Sequence, residues 1–238
     1  MYTEDQHINS SNLGNIPLWR YMDLWKFLKI INSSSLFFPS VSLLGDQEEG
    51  KMPNRVYELM KDHEKSNGRN DNFVEVYREF MENYSINSTL VLSWNAAENE
   101  SFALWKMYAK DKLGIAIKTN FKKLKAAFKN TSEKIYIGEV KYYDNQKPEY
   151  DVVSFSTLLT KHVYYSFERE VRCLTRLEEN EKNLNFKNIQ VDLNELIEDV
   201  YLSPFAFESG LHEIIEHLKN KHKLQFNIKM SGINDSWL

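Results

Sequence analysis

The chain has a single cysteine, Cys173. That excludes an intramolecular disulfide and any cysteine-cluster zinc site, and a lone thiol suits a reducing cytosol. Glycine and proline are also scarce, eight and five in 238 residues. Neither GxGxxG nor GxxxxGK occurs, so glycine-rich phosphate loops are not expected. No GxSxG elbow is present either, and no His/Asp set accompanies Cys173, so triad chemistry has no support. No apolar run approaches the roughly 20 residues that span a bilayer. The N-terminal MYTEDQHINSSNLGN lacks a basic and apolar leader, so no signal peptide is expected. The expected location is cytoplasmic, with no membrane partner.

There is no large charge of one sign. The net charge is −4, which argues against indiscriminate nucleic-acid binding. Charge is nonetheless uneven. Nine lysines lie between Lys106 and Lys134 against Asp111 and Glu133, while acidic clusters occupy 46–49 and 178–181. Hydrophobic residues make up 42% and aromatics 13%, enough to build a core and too many for a disordered chain.

Period and turn signals divide the chain into short elements. Residues 1–15 read as a flexible tail, and 16–238 as one domain. "LWRY" (18–21) reads as a strand. Leu24, Phe27, Leu28 and Ile31 follow at helical spacing, and "LFFPS" (36–40) is a second strand. Pro53 opens a helix to about Lys65. Phe73, Val76, Tyr77, Phe80 and Tyr84 mark the apolar stripe of another. "TLVLSW" (89–94) and "LGIAIK" (113–118) are strands. Ser101 and Asn120 each stand where a helix cap belongs. Further strands are expected at 134–143, 164–174, 186–193, 198–204 and 224–230, with helices at about 151–165 and 207–222. Strands and helices alternate without a βαβ rhythm. The fold class is therefore α+β, a single domain with mixed and antiparallel strands flanked by helices.

"YYSFEREVRCL" (164–174) carries the densest chemistry. As a strand it places Glu168, Glu170 and Arg172 on one face, with Phe167, Arg169, Val171 and Cys173 on the other. Such a face is either a salt-bridged edge or a cleft wall. In a cleft, a fixed carboxylate stabilises an oxocarbenium-like sugar cation, acts as a base or ligates a metal. "GDQEEG" adds Asp46 and Glu49 on a loop. Trp105 and Tyr108 share one helix face, where rings could stack on a flat ligand. "HEIIEH" (212–217) misses the zinc spacing HExxH by one residue, and no metal is expected.

Several segments in order, "LWRYMDLWKFLKIINSSSLFFPS", "LLGDQEEG", "VLSW…ALWKMYAKDKLGIAIK", "YYSFEREVRCL" and "EDVYLSPFA", resemble the bacterial family catalogued as domain of unknown function 2971. The resemblance spans about 18–233. The family's Asn-Asp-Pro-Phe is here Gly45-Asp46-Gln47-Glu48. The layout also resembles NAD-dependent ADP-ribosyltransferases, whose first strand carries Arg or His and whose last bears Glu-x-Glu.

That second resemblance implies Arg20, Glu170 and Glu168 as catalytic residues. Glu170 would be the central glutamate, and Glu168 would activate or select the acceptor. Tyr21, Ser40, Trp105, Tyr108 and Arg172 would bind the nucleotide. It implies NAD as substrate, a protein or nucleic acid as acceptor, and a bacterial toxin or anti-phage defence effector as the setting. A partner protein or homo-oligomer stays open. Two other readings also stay open, a metal-dependent nuclease built on Asp46 or Glu49 with Glu168 and Glu170, and a non-enzymatic sensing or interaction module.

Overall fold

Alternation along the first strand decides how the protein is layered. In β1 (Pro17–Asp23), Leu18 and Met22 face one way and Trp19 and Tyr21 the other, and all four are buried. A strand buried on both sides belongs in the middle of a sheet. It lies there, between β3 (Thr89–Ala96) and β4 (Gly114–Asn120), antiparallel to both. The sheet continues outward through β8 (Glu170–Arg176) to β5 (Tyr136–Glu139) on one side. On the other it runs through β10 (Asp199–Leu202) to β11 (Asn227–Met230). Only the β10–β11 pair is parallel. The computed structural model describes residues 1–5, 8, 13–46, 48–70, 72–109, 113–144, 155–181, 184–206 and 210–233. The architecture is α+β, with a mixed, mostly antiparallel sheet.

The main core covers one face of this sheet. Leu18, Leu92, Trp94, Ile115, Ile117, Cys173 and Val200 pack there on Phe27 and Ile31 of α1 (Leu24–Ser33). Asp23 caps α1 by accepting from Lys26 N, and Ser34 ends it in the left-handed conformation. β2 (Ser35–Pro39) pairs with β9 (Phe186–Gln190) as a separate ribbon, and Leu36, Phe38 and Ile189 add to the same core.

The opposite face carries two smaller apolar clusters. Trp19, Tyr21 and Ala116 pack with Leu104 and Trp105 of α4 (Phe102–Tyr108). Val91, Val140 and Leu174 pack with Phe155 and Leu158. The polar residues Ser93, Asn95, Glu170 and Arg172 share this face, placed by the register Ser93↔Arg172 and Asn95↔Glu170.

The remaining elements mix agreement and correction. α2 (Asn54–Ser66) begins after Pro53, and Asn120 caps α5 (Phe121–Ala127) through Lys123 N. Ser101 caps α4 through Leu104 N. The strand expected over 134–143 is broken into β5 and β6 (Lys141–Tyr143), which belong to different sheets. β6 pairs in parallel with β7 (Thr160–His162). The helix expected at 151–165 is absent over its described part. A short 3-10 turn at 156–158, β7 and a second 3-10 turn at 163–168 stand there instead. Its Val, Thr and Tyr residues are weak helix formers, so tertiary contacts decide the conformation. Past β9 the chain turns into α6 (Leu193–Leu196), and α7 (Leu211–Lys221) precedes β11.

The tail expected over 1–15 is tied down where it is described. Tyr2 bridges Ile135, the Met1 amino group donates to Thr131 O and Glu133 O, and Leu13 is fully buried. α3 (Asn72–Ser88) forms as its spacing suggests, but turned. Val74, Ser85 and Ser88 are the buried positions, and the apolar stripe faces solvent. Among the described residues no helix is long and apolar enough to cross a membrane.

Candidate active site

The polar strip between the two smaller clusters is a closed network of five charged side chains. Arg172 stands at its base, fully buried. Its Nε donates to Glu170 Oε2 at 2.6 Å. Its two terminal nitrogens donate to Glu49 at 2.5 and 3.0 Å, and Nη1 also reaches Leu158 O at 2.7 Å. Lys161 stands above. Its ammonium lies 2.7 Å from Glu170 Oε1, 2.8 Å from Glu168 Oε2 and 3.7 Å from Glu49 Oε2. Three carboxylates thus surround two cations in a desolvated space.

Local backbone brings the two strand-end glutamates together, and not in the way alternation suggests. Residues 164–168 are not strand. A 3-10 turn ends at Glu168, Arg169 adopts φ 42°, and β8 begins only at Glu170. The left-handed Arg169 returns both carboxylates to Lys161. Side chains hold this kink. Asn95 Nδ2 donates to Glu168 O at 2.6 Å, and the Tyr142 hydroxyl accepts from Glu170 N at 2.7 Å. Glu49 arrives by another turn. Gly50, at φ 79°, follows it, and a Cβ there would lie 3.1 Å from both Ile86 and Val41.

The two glutamates titrate apart. Burial raises Glu168 to about 7, and a hydrogen bond with Glu170 adds to this against the opposing pull of Lys161. Glu170 is also desolvated, but the charge and hydrogen bonds of Arg172, with Lys161, hold it well below the usual carboxylate range. Lys161 stays firmly protonated, because Glu170 and Glu168 outweigh its burial. A pair whose members are pushed apart in this way supplies one permanent charge and one exchangeable proton.

Arg20 approaches from the other side of the sheet. By alternation it shares the main-core face with Leu18 and Met22. The β1–β3 ladder stops after Leu18↔Ala96 and Trp19↔Asn95. In the opening that follows, Arg20 Nη1 donates to Ser93 O at 2.5 Å. Ser93 Oγ in turn donates to Glu170 Oε2 at 3.0 Å. Desolvation lowers the Arg20 guanidinium to about 10. Among the described residues it has no carboxylate partner. The Tyr108 hydroxyl donates to Glu168 Oε1 at 3.5 Å.

The other residues singled out by sequence divide. Tyr108 is 47% exposed at the edge of the cluster, and Arg172 and Glu49 are members of it. Trp105 and Tyr21 are not stacking surfaces. Trp105 is fully buried edge-on against Tyr21 and donates to Glu100, and the Tyr21 hydroxyl accepts from Ser101 N. Both amphipathic rings are spent on holding α4 to β1. Ser40 is buried, its hydroxyl bonded to that of Ser42. Asp46 accepts from Glu48 N and shapes the turn that delivers Glu49.

Lys161, Tyr142, Ser93 and Asn95 carried no sequence signal. Each lies in a β-prone run and acquires its role by pairing. Exposed rings of Tyr164, Tyr165 and Phe167 border the cluster, Tyr165 lying under the Lys161 ammonium at 4.6 Å. Among the described residues no group of three or more His, Cys, Asp or Glu is arranged to hold a metal ion. No family model, no curated protein and no solved structure matches the chain.

Proposed function

We propose that the protein is an enzyme that breaks an N-ribosyl bond, with NAD as substrate and water or a macromolecular nucleophile as acceptor. The observation that carries this reading is the Glu168–Glu170 pair, both carboxylates drawn onto the Lys161 ammonium at 2.8 and 2.7 Å in a desolvated strip, where burial raises Glu168 and Arg172 and Lys161 hold Glu170 low. Loss of nicotinamide develops positive charge on the ribose. A preorganised, desolvated carboxylate such as Glu170 is worth more to that transition state than to the ground state. Glu168, once deprotonated, is the base that takes the acceptor's proton. Lys161 bridges the two and keeps Glu170 charged while the proton is held on Glu168. Arg20, a desolvated guanidinium that reaches the Ser93 carbonyl beside the opening between β1 and β3, suits an anionic pyrophosphate. Tyr108 offers a ring face to a planar base. The exposed rings at 164, 165 and 167 border Glu168, where an acceptor has to enter.

A metal-dependent nuclease fits less well. Glu49, Glu168 and Glu170 converge, but the ammonium of Lys161 and the guanidinium of Arg172 occupy the space between them and compensate their charge.

The test is incubation of purified protein with NAD, alone and with protein, RNA or DNA acceptors. Nicotinamide release that disappears in Glu170→Gln is the expected result. No release under any of these conditions would sink the reading.

A further inference from the structure

A single residue, Ser93, joins Arg20 to Glu170. Its carbonyl accepts from Arg20 Nη1 at 2.5 Å, and its hydroxyl donates to Glu170 Oε2 at 3.0 Å. The parting of two strands makes this arrangement. β1 and β3 are paired at Leu18↔Ala96 and Trp19↔Asn95, and the ladder ends there. Carried one step further, the register would bring Tyr21 opposite Ser93, with the Tyr21 N–H bonded to Ser93 O. The Arg20 guanidinium takes that carbonyl instead. A cation is thus fixed in the opening by the backbone of the residue whose side chain steadies the carboxylate of β8.

One residue is a short ruler. Two hydrogen bonds and the width of a serine set the guanidinium and the Glu170 carboxylate at most about 10 Å apart. The two groups do not pair with each other. Glu170 is held by Arg172, Lys161 and Ser93, and Arg20 has no carboxylate partner among the described residues. A ribose and its own 5′-phosphate match this gap. Ring and phosphate oxygens lie about 5 Å apart, and a hydrogen bond of about 3 Å at each end completes the span. A second phosphate lies about 3 Å further out in an extended nucleotide and overruns it. The planar fork of an arginine suits a phosphate, and a desolvated surrounding strengthens the contact.

We infer that the enzyme reads its substrate at the 5′-phosphate of the ribose being cleaved, so that an N-ribosyl 5′-monophosphate is the smallest complete substrate and the adenylate half of NAD is dispensable. This rests on the N-ribosyl reading above and narrows it. With water as acceptor, the bond from C1 of the ribose to the pyridinium nitrogen breaks. Its electron pair stays on nicotinamide and discharges the ring. The water oxygen bonds to C1, its proton passes to Glu168, and ribose 5-phosphate leaves.

The test compares nicotinamide release by the purified full chain from NAD, nicotinamide mononucleotide and nicotinamide riboside. The mononucleotide should match NAD in kcat/KM within about tenfold, and the riboside should fall about 10- to 150-fold below it, the worth of a charge-assisted contact. Arg20→Met should bring the mononucleotide down to the level of the riboside and leave the riboside unchanged. Arg20→Lys, which keeps the charge without the fork, should fall between and serves if the first variant does not fold. Ser93→Ala should slow all three substrates by a similar factor, because it frees Glu170 and leaves the carbonyl to Arg20. A riboside cleaved as fast as the mononucleotide, or cleavage of NAD alone, overturns the inference. Silence of all three, NAD included, overturns the N-ribosyl reading and the inference with it.

Discussion

Arg172 and Glu49 are 123 residues apart in the chain and meet through two guanidinium–carboxylate bonds of 2.5 and 3.0 Å, both side chains buried. One residue is on a central strand and the other on a loop tip. Their pairing ties that loop to the sheet and leaves Arg172 Nε free to hold Glu170.

Removing Arg172 is therefore expected to cost more than one contact. Arg172→Leu strips the compensating cation from both Glu49 and Glu170, and loss of about 3–5 kcal/mol is the magnitude for a broken buried pair. Urea denaturation followed by circular dichroism measures it. Because the partners share a network, Glu49→Gln in the Arg172→Leu background should cost far less than Glu49→Gln alone.

Glu168 sets a pH dependence of opposite sign for rate and for stability. Its carboxyl is raised from 4.5 to about 7. As a base it works only when deprotonated, so nicotinamide release should climb as pH rises through about 7. Glu168→Gln should remove that limb and slow the reaction about 10²- to 10⁴-fold. The folded state binds this proton more tightly than the unfolded chain. Its contribution to stability is complete below 4.5 and is lost as pH rises through about 7. Glu168→Gln should accordingly melt higher than wild type above pH 7, as read by thermal melts across pH 5 to 9.

Arg20 is expected to matter for binding and not for folding. Its guanidinium is desolvated, bonds to Ser93 O and has no carboxylate partner among the described residues. Arg20→Met should leave the melting temperature unchanged or higher. It should raise KM for NAD about tenfold or more, as loss of a charge-assisted contact does. Pyrophosphate should inhibit the wild type and lose its effect on the variant.

Gly114 positions Tyr108 from a distance. A Cβ at residue 114 would lie 2.5 Å from Ala109 Cβ, directly after α4. Gly114→Ala should force that end of the helix away from β4 and cost about 1–3 kcal/mol. It should also raise KM more than it lowers kcat, which steady-state kinetics separates.

Much of the framework is legible in the chain itself. The strands at 18–21, 36–40, 89–94 and 113–118 are short and rich in apolar residues, aromatic in the first two and β-branched in the last two, and their local preference agrees with the burial they receive. The caps Ser101 and Asn120 act within three residues of themselves, so no tertiary knowledge is required to place them. At the site, the sequence marks Glu170, Glu168, Arg172 and Glu49 as a concentration of charge in strand-like and loop surroundings.

What these residues do to one another was decided elsewhere. Lys161 became the bridge between two glutamates because β7 pairs in parallel with β6, outside the main sheet. Glu168 joins Glu170 because Arg169 turns left-handed, a conformation that Asn95 and Tyr142 hold from two other strands. Trp105 and Tyr21 looked like ligand contacts and became core, because a ring on a helix or strand face is equally fit for either until a partner element covers it, and here each covers the other. The reverse befell α3, whose stripe is an ordinary core pattern left uncovered by its own chain. Periodicity is set by local geometry, so the sequence determines that a face exists. Which faces meet depends on contacts between residues far apart in the chain, and only the folded sheet supplies those.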